Sequence, residues 1–175
     1  MKIVVISDTH GNLEGLRILS KKIKGLTDTI IHLGDDSPDT EILENDSFNV
    51  IKVPGVYESI YTLPDTKRRI IQEFCGKKFL ITHTRSRHSN DLPSDISPEK
   101  LSENVDVILF GHTHIPVIET DKNGKIWINP GHLKENDKRG YPPSYAVIEI
   151  EPKKIEIKIY NFLTDEKIIE KTISC

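Results

Sequence analysis

The sequence predicts an α/β sandwich, with mixed β-sheets covered by a few helices. Three observations predict it. In the first third, short β-branched runs alternate with helical patterns, the order expected of a parallel α/β sheet. In the remainder, apolar runs meet in pairs across turn signals, as antiparallel hairpins do. A chain of 175 residues, 36% hydrophobic and 29% charged, suits one domain, residues 1–175, with a core of its own.

The elements follow in order. "KIVVIS" (2–7) is an apolar β-branched run, a strand buried on both faces. "LEGLRILSKKI" (13–23) sets Leu13, Leu16, Leu19 and Ile23 on one helical face, with Asn12 as N-cap. "DTIIHL" (28–33) is a second strand, ended by Gly34, and "PDTEILEN" (38–45) a short helix opened by proline. "FNVIKV" (48–53) is a third strand. "RRIIQEF" and "KKFLITH" flank Cys75-Gly76 as a hairpin. "SPEKLSEN" (97–104) is a helix capped by Ser97, and "VDVILF" (105–110) a buried strand. "PVIET" and "KIWIN" flank an Asn-Gly turn. "SYAVIEIE", "KIEIKIYNF" and "KIIEKTI" complete an antiparallel set. The long loop 84–96 is left over.

Composition narrows the function. A net charge of −3 supplies no basic surface for a long nucleic acid. No apolar stretch approaches a membrane span. "IVVIS" after Met1-Lys2 is too short for a signal sequence, so the expected location is cytoplasmic. Cys75 and Cys175 are the two cysteines, too few for a disulfide framework and consistent with a reducing compartment.

Strand ends carry the chemistry. Asp8 and His10, Asp35, His83, and His112 with His114 stand where open α/β sheets collect ligands. Read as extended backbone, the i, i+2 spacing of Asp8/His10 and of His112/His114 sets each pair on one side. Imidazole with carboxylate suits Mn²⁺, Fe²⁺, Co²⁺, Ni²⁺ or Zn²⁺ better than Mg²⁺ or Ca²⁺. Six such donors exceed one tetrahedral site, whereas two metals sharing a carboxylate would use them all. His32, His88 and His132 lie off the pattern and read as structural or surface residues.

"DTHGN", "HLGDD", "THT", "GHTH" and "INPG", in this order, resemble the calcineurin-like metallophosphoesterase superfamily, in its small single-domain prokaryotic phosphodiesterase branch. The resemblance implies a two-sheet sandwich and a dinuclear site. Asp8, His10, Asp35 and His114 would hold the first metal; Asp35 would bridge to a second, shared with His83 and His112. Manganese is the preferred guess. Asn12 would cap its helix, contact phosphate, or do both, and Asp36 reads as a loop acid beside the bridge.

Two departures qualify the expectation. Where the family's third strand ends in asparagine and often histidine, this chain has Val56 and Tyr57, followed by the matching acid Glu58. Valine offers no donor, which predicts a weakened second metal position. After His83 the family commonly continues Gly-His; here Thr84-Arg85 follows, and Arg85 with Arg87 reads as a small positive patch suited to phosphate oxygens. The resemblance therefore implies a metal-dependent phosphodiesterase or phosphatase of reduced activity, attacking a small phosphoester with a hydroxide activated at the metals. Glu58 and Arg85 are its candidate catalytic groups. The competing reading is a scaffold that binds a protein partner, since the superfamily includes a structural retromer subunit.

Overall fold

The computed structural model describes residues 1–174; Cys175 lies outside them. Two mixed sheets face each other, as the sequence predicts. The first contains strands β1 (Lys2–Ile6), β2 (Thr29–His32), β3 (Asn49–Lys52), β9 (Ser144–Glu151), β10 (Lys154–Asn161) and β11 (Lys167–Ser174), in the order β11-β10-β9-β1-β2-β3. β1, β2 and β3 are parallel; β9 pairs antiparallel to β1, and β10 and β11 continue antiparallel. The second contains β4 (Arg69–Phe74), β5 (Lys77–Thr82), β6 (Val107–Leu109), β7 (Val117–Thr120) and β8 (Ile126–Asn129), in the order β4-β5-β6-β8-β7. Here β5, β6 and β8 are parallel, while β4 and β7 pair antiparallel at the edges.

Alternation along the strands builds three apolar layers, one between the sheets and one on the outer face of each. Ile3, Val5, Ile31 and Ile148 of the first sheet meet Phe79, Ile81, Leu109 and Ile128 of the second. On the outer face of the first sheet, Val4, Ile6 and Ile30 pack on Leu16, Leu19 and Ile23 of helix α1 (Leu13–Ile23). Leu13 does not join this face: it is exposed, and Ser20 is buried instead, donating to Asp46. Asn12 caps α1 by accepting from Gly15 N at 2.8 Å. The segment 38–45 divides into a 3-10 turn, Ser37–Thr40, and the helix α2 (Glu41–Asn45). Helix α3 (Pro98–Ser102) is capped by Ser97. No helix of the described residues is long and apolar enough to cross a membrane.

The loop after β5 is pinned to the fold by a buried carboxylate. Asp91 has a side chain fully shielded from solvent. It accepts from Arg69 Nη2 at 2.5 Å, from Tyr61 Oη at 2.5 Å and from His88 N at 3.1 Å. Burial pushes the Asp91 carboxyl up, but these donors outweigh it and hold the group below the ordinary carboxylate range. Its stabilising contribution is therefore complete above the unfolded value of about 4 and is lost as pH falls through the lower folded value. Asp91→Ala leaves Arg69 buried beside only a distant Asp95 (4.0 Å); a loss of about 3–5 kcal/mol in urea unfolding is expected.

Candidate metal centre

The carboxyl ends of β1, β2, β5 and β6 converge at one edge of the sandwich, stitched by backbone hydrogen bonds. Asp8 N donates to Gly34 O (2.8 Å) and Gly111 N to His83 O (2.9 Å). The crossing between sheets is made by a candidate ligand itself, since His112 N donates to Asp8 Oδ2 at 3.0 Å. Two glycines leave room for the carboxylates. A Cβ on Gly111 would lie 1.9 Å from Ser7 Oγ and 2.8 Å from Asp8 Oδ2; one on Gly55 would lie 1.8 Å from Asp35 Oδ1.

The backbone here corrects the extended reading of the i, i+2 pairs. Asp8, His10, Asp35, His112 and His114 all adopt left-handed conformations, with φ between +47° and +66°. Side chains are aimed by successive sharp bends, not by strand alternation. Each such residue costs about 1–2 kcal/mol relative to ordinary backbone, a burden typical of functional sites.

The six residues predicted as ligands do come together, in two groups sharing Asp35. Asp8, His10, Asp35 and His114 present donor atoms within 4.8 Å of one another, as do Asp35, His83 and His112. Asp35 turns one oxygen to each group: Oδ2 lies 3.6 Å from His10 Nε2, and Oδ1 lies 3.4 Å from His83 Nε2. Between the histidines, His10 Nε2 and His114 Nε2 are 3.3 Å apart, and His83 Nε2 and His112 Nδ1 are 3.2 Å apart.

Outer partners fix which nitrogen faces inward. His83 Nδ1 donates to Leu33 O at 2.7 Å, and His114 Nδ1 to Asp137 Oδ1 at 2.8 Å. Each leaves the Nε2 lone pair directed at the centre, the usual arrangement of a metal-binding imidazole. Burial, reinforced by the neighbouring His83, lowers the His112 ring to about 4, so that it is neutral near pH 7.

The electrostatics call for a cation. Burial pushes the Asp8 carboxyl up, but His114, His83 and Ser7 outweigh it and hold it at about 2. Its Oδ2 is satisfied by Ser7 and His112 N, whereas the buried Oδ1 has no hydrogen-bond partner. Instead it faces His114 Nε2 at 3.1 Å. A buried anionic oxygen without a donor costs more than the 1–3 kcal/mol of a neutral orphan. Asp35 is pushed above the ordinary carboxylate value by burial, against the pull of His83 and His10 and with the repulsion of Asp8. Divalent cations in the two groups would answer both features, and the mixed nitrogen and oxygen donors suit transition metals.

Other expected site residues lie elsewhere or are already engaged. Arg85 does not turn to the centre: it pairs with Glu119 at 2.7 Å and lies over the Phe110 and Trp127 rings, against the outer face of the second sheet. Arg87 donates to Asp95 O and Leu92 O, holding its own loop. The two arginines therefore form no phosphate patch. Glu58 clamps the turn below the third strand, accepting from Gly55 N (2.6 Å), Ser37 N (3.0 Å) and Ser37 Oγ (2.6 Å). With its lone pairs so occupied, it suits positioning better than proton transfer. Asn12 also donates to Leu133 O at 2.7 Å, which commits its amide to the fold at both ends. Val56 is buried and its carbonyl accepts from Asn90 Nδ2, while Tyr57 is 73% exposed.

The off-pattern histidines separate. His32 is buried and lowered to about 3 by that burial; it is structural, accepting from Gly34 N. His132 is buried with its ring 5.0 Å from that of His114. His88 is the residue missed. Its ring lies 5.7 Å from that of His112 and 5.7 Å from that of Tyr57. The available signal was a histidine in the long polar loop that leaves the ligand His83.

Comparison with known proteins bears on the fold and the family. The chain is 27% identical over 161 residues to the probable metallophosphoesterase YsnB of Bacillus subtilis (strain 168), covering 92% of this chain and 91% of that protein. Its fold is similar to vacuolar protein sorting 29 of Cryptosporidium parvum, with a TM-score of 0.70, 21% identity and coverage of 99% and 98%. It is also similar to an archaeal phosphodiesterase, with a TM-score of 0.65, 23% identity and full coverage of both chains (100% each). Residues 1–153 match the calcineurin-like phosphoesterase superfamily domain, a span that contains every residue of the two groups. The chain belongs to that superfamily.

Proposed function

We propose that the protein hydrolyses a small phosphoester, a diester in the first instance, with two divalent transition metals, manganese by preference. The observation that carries this reading is Asp35, one carboxylate whose two oxygens face two separate histidine groups. Metals so held supply Lewis acidity at a phosphoryl oxygen and make water nucleophilic at neutral pH. The chain's own residues do the rest. Asp8, His10, Asp35 and His114 hold one cation, and Asp35, His83 and His112 the other. His10, Asp35, Asp36, Tyr57 and Glu58 line a cleft of about 120 Å³ beside them. Three of these five are acids, so an anionic substrate is admitted only when cations offset the negative field.

The test is hydrolysis of bis-para-nitrophenyl phosphate with Mn²⁺ added and with chelator. Turnover that requires the metal and disappears in His112→Ala supports the reading; metal-independent background alone sinks it.

Position 56 bears on the balance between the two metals. The second group has three ligands against four in the first, and Val56 adds none. Val56→Asn is expected to tighten the weaker Mn²⁺ site at least about tenfold in calorimetric titration, with faster turnover. Equal, tight sites in the parent protein would remove the asymmetry. A scaffold reading gains support from the same residue and from the likeness to vacuolar protein sorting 29: metal binding without any turnover, including in Val56→Asn, would favour it.

A further inference from the structure

His88 reaches the second metal group from outside the ligand set. Its ring stands edge-on to that of His112, with planes inclined at 72° and centroids 5.7 Å apart. On another side it meets Tyr57 at 87°. The spacing resembles those between paired ligand rings, 5.1 Å for His83 and His112 and 5.2 Å for His10 and His114.

The position is held firmly. Its backbone N–H is bound to Asp91, which Arg69 and Tyr61 fix in turn. Two residues on, Asn90 Nδ2 donates to Val56 O at 2.9 Å, joining the loop to the turn that carries Tyr57. Arg87 stiffens the other side through Asp95 O and Leu92 O. A half-buried histidine fixed by this many contacts over a metal group is not an incidental surface residue.

The hydrogen bonds also set what the ring can offer. Asn90 N donates to His88 Nδ1 at 3.1 Å, so Nδ1 uses its lone pair and the neutral ring carries its hydrogen on Nε2. That tautomer presents an N–H at its free nitrogen. It differs from His83 and His114, whose Nδ1–H groups donate outward and free Nε2 to bind a cation. His88 is therefore poised to donate a hydrogen bond, not to ligate a metal.

We propose that His88 is a substrate-binding residue, its Nε2–H donating to a phosphoryl oxygen of the phosphoester on the flank of the second metal group. This rests on the phosphoester reading of the site. The two arginines that sequence suggested for phosphate face elsewhere, and His88 is the loop donor that remains beside the ligands.

The experiment measures Mn²⁺ and inorganic phosphate binding by calorimetry in the parent protein, His88→Leu and His88→Gln, with KM for the diester alongside. His88→Leu is expected to weaken phosphate binding to the Mn²⁺-loaded protein by about tenfold or more and to raise KM, since a hydrogen bond to a charged group is lost. Mn²⁺ affinity and stoichiometry should not change. Glutamine, which keeps an N–H donor, should recover most of the loss. Weakened Mn²⁺ binding in His88→Leu would make His88 a ligand and overturn the proposal. Unchanged phosphate affinity, or glutamine no better than leucine, would overturn it as well. Failure of the functional reading is distinguishable, because the parent protein would then take up Mn²⁺ but bind no phosphate.

Discussion

Asp8→Asn is expected to abolish hydrolysis at a modest cost to the metal-free fold, about 2 kcal/mol at most. The two effects part because Asp8 serves two demands. Oδ2 accepts from Ser7 and His112 N, a task that an amide oxygen performs equally well. Oδ1 is buried without a donor and faces His114 Nε2 at 3.1 Å. An amide nitrogen there can donate into that lone pair, which offsets part of the attraction lost when the carboxylate, held at about 2 by His114, His83 and Ser7, is made neutral. It cannot bind a cation. Turnover should fall at least about a thousandfold, several kcal/mol of lost metal assistance. Thermal melts give the second readout. Mn²⁺ at a hundredfold excess over its Kd should stabilise the parent by about 2.7 kcal/mol, which for a chain of this size raises Tm by roughly 5–10 °C. Asp8→Asn should lose most of that rise. A large fall in the metal-free Tm would mean that Asp8 is foremost a structural anion.

Gly55→Ala should remove both metals at once. The new Cβ would lie 1.8 Å from Asp35 Oδ1 and 2.5 Å from Asp35 N, and the backbone atom cannot swing aside as a side chain would. Overpacking of this kind costs about 3 kcal/mol. Because Asp35 contributes an oxygen to each group, its displacement should empty both, whereas His83→Ala should weaken only the group with His112. Calorimetric stoichiometry separates the two variants. A Gly55→Ala protein that still binds two ions tightly would show that Asp35 does not bridge.

The fold and the clustering of the six candidate ligands were legible for local reasons. An apolar, β-branched run marks a strand wherever it occurs, and Asp8, His10, Asp35, His83, His112 and His114 each stand just past the end of one. The misreadings arise where distant residues decide. Arg85 is adjacent to a strand end, yet Glu119 and Trp127, more than thirty residues on, draw it to the outer face of the second sheet. His88 is placed by Arg69 and Tyr61 through Asp91, a chain of contacts that spacing does not encode. Glu58 has the residue type of a catalytic acid, but its hydrogen bonds to Ser37 and Gly55 make it a clamp. Leu13 fits the apolar period of α1 and is exposed because it lies at the first turn.

The left-handed bends at the candidate ligands bear on how cations would come and go. Five donors are aimed by fixed backbone torsions, and a sixth, His83, is locked by Leu33 O. Little rearrangement is then needed when an ion arrives or departs. On the two-metal reading, one cation would replace another without partial unfolding, and donor chemistry with the concentrations of competing ions would set the occupant.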